Sequence, residues 1–119
     1  MAIRDAPSPA EIYQDVVAHC MADAAVEQAR MFGASGLSVG RKTFAMLHRG
    51  ELVVKLDPAR CKALVDGKIA RFFDPGHGRL MKAWVSVGVE RSRLWSSLAV
   101  EARAYVAGLA GDDGGRKGA

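Results

Sequence analysis

Lys42-Thr43-Phe44-Ala45-Met46-Leu47, then His48-Arg49-Gly50, then Glu51-Leu52-Val53-Val54-Lys55-Leu56 is the stretch that decides the fold of this 119-residue chain. Two apolar runs flank a short break that ends in glycine. Glycine reaches positive φ without a Cβ clash, as a tight hairpin turn requires, so the break predicts a reversal of direction. Val39-Gly40-Arg41 repeats the same chemistry just upstream. The whole predicts an antiparallel β-meander.

On the N-terminal side, Ser8-Pro9-Ala10-Glu11 is a helix start. Ser8 can accept from an orphan N–H, Pro9 suits the first turn, and Glu11 can reach back to the cap. Ile12, Val16, Cys20 and Ala24 then recur at fourfold spacing, with Val17 and Met21 beside them, and predict an amphipathic helix. The run from 26 to 32 fits helix and edge strand alike, because local pattern does not separate the two over so few residues. On the C-terminal side, Asp57 caps a short helix that begins at Pro58, runs to Val65 and has Gly67 past its end. Ile69 to Asp74 and Met81 to Val87 form a second hairpin around Pro75-Gly76-His77-Gly78-Arg79. Leu94, Leu98, Ala102, Tyr105 and Leu109 mark a last amphipathic helix. The order is helix, three strands, helix, two strands, helix. Antiparallel hairpins with helices on one face give an α+β two-layer sandwich. One domain is expected over residues 1–110, with a Gly-rich, charged, disordered tail over 111–119.

Composition narrows the function classes. Half the residues are hydrophobic, but Asp23, Glu27, Arg41, Lys55 and Arg71 interrupt every run short of the roughly 20 apolar residues a membrane helix needs. No membrane partner is expected. No apolar signal core follows Met1, so the expected location is cytoplasmic. Cys20 and Cys61 are isolated and lack metal-ligand spacing, and are expected to be reduced, buried, small hydrophobes. The net charge is only +4 but uneven. The first thirty residues hold five acids against two bases, whereas 31–100 hold twelve Lys or Arg against five acids. Such asymmetry fits either an anionic partner or a solvated face.

Arg30-Met31-Phe32-Gly33, Gly36-Leu37, Phe44-Ala45, Leu52-Val53-Val54-Lys55-Leu56-Asp57, the Phe72-Phe73 pair and the Trp84 strand, in this order, resemble the TfoX/Sxy N-terminal domain family. The neighbouring MmcQ/YjbR-like proteins are similar in architecture. The resemblance implies a fold similar to secretion-chaperone-like domains. It also implies a regulatory role, tied to competence in some members and to DNA-associated regulation in others. It brings no catalytic residues. Two departures stand out. Ala34 occupies a position where the family often has a second glycine, and no second domain is expected after the last helix. A stand-alone copy is expected to act differently from the longer regulators.

The chain offers little to catalysis. His19 and Cys20 are helix neighbours about 100° apart and cannot easily share a metal. His48 falls in a turn. Asp74 and His77 resemble a base with an orienting carboxylate, but no nucleophile has an elbow-type context near them. Gly33-Ala34-Ser35-Gly36 lacks the Gly-Lys-Ser/Thr that a phosphate loop requires. No enzyme, metal or cofactor is expected, and an unrecognised enzyme is the outlying alternative.

Strand alternation is more informative. It sends Phe44, Met46, Leu52, Val54, Leu56, Phe72, Ala83 and Val85 toward the helices, leaving Ala45, Leu47, Val53, Lys55, Arg71, Phe73, Lys82 and Trp84 on the second face. Such a face is covered by the chain itself, by a protein partner or by a second copy, and a homodimer would bury Leu47, Val53, Phe73 and Trp84. A nucleic-acid platform would stack bases on the aromatics and set Lys55, Arg71 and Lys82 against phosphate. Two aromatics and a small net charge favour the protein reading.

Overall fold

The computed structural model of the protein describes residues 8–31, 34–74 and 81–115. Helix α1 spans Pro9–Met21, and its start is the expected capping box: Ser8 Oγ accepts from Glu11 N–H at 3.2 Å while Glu11 Oε1 accepts from Ser8 N–H at 2.8 Å. Tyr13, Val16, Val17 and Cys20 form its buried stripe. Asp23 follows the helix, and its Oδ1 accepts from Ala25 N–H at 2.9 Å, turning the chain toward the sheet.

Four strands come next, β1 (Val26–Met31), β2 (Ala34–Val39), β3 (Lys42–His48) and β4 (Glu51–Lys55). The segment that sequence pattern left open between helix and strand is thus a strand, and four strands precede the second helix where three were expected. Both predicted turns have positive φ at their two central residues, Gly40 (58°) with Arg41 (67°) and Arg49 (53°) with Gly50 (79°). That is type I′ geometry, whose twist matches the strands it joins.

Helix α2 (Pro58–Asp66) is capped by Asp57, whose Oδ1 accepts from Ala59 N–H at 2.8 Å. Gly67 follows it, but the left-handed position belongs to Lys68, at φ 62°. Strands β5 (Arg71–Phe73) and β6 (Met81–Val87) form the second hairpin, and a 3₁₀ turn at Val89–Leu94 leads into α3 (Trp95–Gly115). The last helix therefore runs into the segment expected to be tail. Extending an existing helix adds one hydrogen bond per residue and needs no new nucleus, which offsets the poor propensity of Gly111 to Gly115. Among the described residues no helix is long and apolar enough to cross a membrane.

All six strands make one antiparallel sheet in the order β1-β2-β3-β4-β6-β5. The three helices share one side of it. Their buried residues merge with Leu37, Val39, Phe44, Ala45, Leu52, Val54, Val85 and Val87 into a single core. Trp95 is its largest fully buried side chain, with Nε1 donating to Gly88 O at 3.2 Å. Each such large apolar side chain stabilises the fold by roughly 1.5–3 kcal/mol relative to exposure. The α+β two-layer architecture read from the sequence is the one observed.

Candidate functional site on the second sheet face

The face away from the helices carries a second, smaller core of Met46, Val53, Phe73 and Trp84, with Ala83 packed against it. Met46 was expected toward the helices, and Ala45 and Leu47 on this side. The reverse holds because β3 has a bulge. Leu37 pairs with Ala45 but its neighbour Ser38 pairs with Thr43, so Phe44 is an extra residue in β3. Strict alternation fails at such a point. Phe44 and Ala45 both join the helix-side core, and every later residue of β3 changes face. A second irregularity, between Phe72 and Phe73, sits opposite Lys82, Ala83 and Trp84 in β6. It explains why Ala83 joins Trp84 on the second face. It also explains why Lys82 lies among Pro58, Ala59, Lys62, Asp66 and Phe72 at a groove beside α2.

Of the seven residues expected on the second sheet face, five lie there. Leu47 is half-buried against the helix-side core and Lys82 is beside α2. Val53, Phe73 and Trp84 are on the second face but are buried within the chain itself, at 0%, 2% and 5% exposure. The apolar surface that a dimer through them would need is therefore already used. Lys55 remains accessible, with its Nζ 5.9 Å from the Trp84 ring centroid as a cation–π contact. Arg71 remains accessible too, and it belongs to a polar arrangement that sequence reasoning missed.

That arrangement is a cleft of about 400 Å³ lined by His48, Arg49, Glu51, Arg71, Phe73 and Asp74, with Ser86 at its floor. Register assembles it. His48 is paired with Glu51 across the β3–β4 turn, and Ser86 is paired with both Val53 and Arg71. Glu51 Oε1 accepts from Ser86 Oγ at 2.6 Å and also from the Arg71 guanidinium. Side chains from β4, β6 and β5 are thereby fastened in one row. The His48 ring stands edge-on to Phe73, with centroids 5.1 Å apart and planes at 87°. The hairpin gives one clue to this site: Glu51 is the sole acid in an apolar strand, and two-residue turn geometry sets it opposite His48.

The other sequence candidates are scattered. Asp74 lines the cleft, while His77 falls outside the described residues. His19 is exposed on the last turn of α1. Cys20 and Cys61 are free and buried, and burial pushes both thiols above their usual range. Burial likewise raises the Tyr13 hydroxyl, which donates to Ser35 O at 3.2 Å. These three groups belong to the helix-side core and do not approach the cleft.

No curated protein matches this chain. The family model described as the TfoX N-terminal domain matches residues 18–105, from the end of α1 through all six strands and α2 into α3, and the chain belongs to that family.

Proposed function

We propose that this TfoX N-terminal domain is a non-enzymatic, cytoplasmic regulatory module that binds a protein partner through its second sheet face. The observation that carries the reading is the row Glu51, Ser86 and Arg71, an ordered polar strip set beside accessible Lys55 on a face without a covering helix among the described residues. Ordered polar groups suit protein recognition, where hydrogen bonds fix the orientation of the partner. Duplex DNA is less well served. The nucleic-acid reading needed Lys55, Arg71 and Lys82 on one surface, whereas Lys82 stands beside α2 and Arg71 is paired with Glu51.

A photo-crosslinking amino acid in place of Lys55 tests this in cells. One discrete adduct to a different protein, lost on adding Arg71→Glu, supports the reading. Adducts to nucleic acid, adducts to a second copy of this chain, or no adduct from a folded variant would each overturn it.

A further inference from the structure

The cleft has a charge pattern that neither a plain anion nor a plain cation satisfies. Among the described residues, Arg49 and Arg71 bring two guanidinium groups to the cleft and Glu51 a carboxylate, while the neighbouring Asp74 has an interaction of its own. A free anion would meet the Glu51 carboxylate and a free cation the two arginines. A ligand that carries both charges a few ångströms apart would meet neither penalty.

The unused hydrogen-bonding capacity agrees with this. Guanidinium has five N–H donors, and Arg71 gives one nitrogen to Glu51, which leaves an edge able to take a carboxylate in two parallel bonds. Both donors to Glu51, Ser86 Oγ and Arg71, converge on Oε1. Among the described residues no hydrogen bond reaches its Oε2. Arg49 has no ion pair among the described residues, although the type I′ turn holds its backbone fixed at the rim. One fastened pair thus offers a donor edge and an acceptor side by side. At about 400 Å³ the cleft lies at the small end of the ~300–1,000 Å³ range of small-molecule sites.

The geometry points to a site for a free zwitterionic α-amino acid. The ligand carboxylate meets Arg71 and Arg49, and its ammonium meets Glu51 Oε2. The domain would then respond to a small effector, which goes beyond the protein-partner reading. The crosslink at Lys55 and the titrations below succeed or fail independently.

Calorimetric titration of the whole chain with L-phenylalanine and L-leucine is the test, with 3-phenylpropanoate and phenethylamine as probes that each lack one charge. At least one amino acid is expected to bind. Its affinity should exceed that of either one-charge probe by about tenfold, the worth of one charge-assisted contact. Arg49→Ala, at an exposed turn, should weaken the amino acid and the propanoate alike. Glu51→Gln, shown folded by circular dichroism, should abolish the preference of the amino acid over the propanoate. Equal binding of 3-phenylpropanoate to the unaltered chain would make this a plain anion site and overturn the proposal. So would the absence of binding by any of the twenty common amino acids at millimolar concentration.

Discussion

The two faces of the sheet are both buried, but by different means. Under the helices, twenty-two buried residues among those described, from strands and helices, close on one another. On the other side four buried residues are closed by their own neighbours, with Lys55 laid over Trp84 and a polar row alongside. Stability should therefore reside mainly on the first face and adaptability on the second. A sheet that needs only one covered face to fold can present the other to a partner.

The sharpest way to break that comparison is to remove one tryptophan from each side. Trp95→Ala empties the centre of the helix-side core and should cost about 3–5 kcal/mol, a large share of the ~5–15 kcal/mol that a domain of this kind commands. Trp84→Ala should cost about 3 kcal/mol at most, because Lys55 and the shallow second face can relax into the space. Urea denaturation of both variants decides it. A Trp84 loss equal to or larger than the Trp95 loss would mean that the small core is as essential as the large one. Trp84→Glu should unfold the chain rather than yield a folded variant, since the side chain is buried within a single copy.

Alkaline pH probes the first face alone. Cys20 and Cys61 both sit in the helix-side core, and burial raises both thiols. A thiol raised in this way keeps its proton to higher pH in the folded chain than in the unfolded one. Its contribution is whole below the unfolded value near 8.5 and is lost as pH rises toward the folded value, with a limiting slope of about 1.4 kcal/mol per pH unit for each thiol. Stability should fall from pH 8.5 upward, and the fall should be shallower in a Cys20→Ala, Cys61→Ala double variant. If the two chains lose stability in parallel, the thiols are not the groups under strain. Substitutions at the second face should leave the slope unchanged.

Removing a charge from the polar row sharpens the comparison from the other side. Glu51→Gln keeps an acceptor for Ser86 but loses the ion pair with Arg71, whose side chain is 70% exposed. Solvent screening limits the loss to about 1 kcal/mol or less, and added salt should shrink it further. A loss of several kcal/mol would show that the row holds β4, β6 and β5 together rather than merely decorating them.

What was legible in the sequence was what is local. Ser8 with Glu11, Asp57, and the two glycine-bearing turns announce themselves within four residues, and each is found where it was read. The strand at Val26–Met31 was not legible, because its identity comes from pairing with β2 rather than from its own pattern. Face assignment failed at one residue with wide effect. The extra Phe44 in β3 reverses alternation, so Met46 and Leu47 exchange sides, and no local signal marks the bulge. The row Glu51, Ser86 and Arg71 was invisible for a related reason: its members lie on three strands, separated by 20 and 35 positions along the chain.

The smallest effect separates the two hairpins. Arg41 and Arg49 both occupy positive-φ positions that a type I′ turn prefers to fill with Asn or Gly. An L-residue with a long side chain is strained there, so replacing either with Asn should raise stability by about 0.5 kcal/mol. The turns differ in what they border. Arg49 lines the cleft at the end of β3 where β4 begins, whereas Arg41 lies at the other end of that strand. Arg41→Asn should therefore stabilise the chain and leave titrations at the cleft unchanged, while Arg49→Asn should stabilise it to the same degree and weaken them. Thermal melts supply the first comparison and calorimetry the second. If Arg49→Asn destabilises the chain, Arg49 is part of what holds the second face closed. If both variants stabilise and neither affects binding, the guanidinium at the rim has no recognition role, and the strained turn is only a feature of the hairpin.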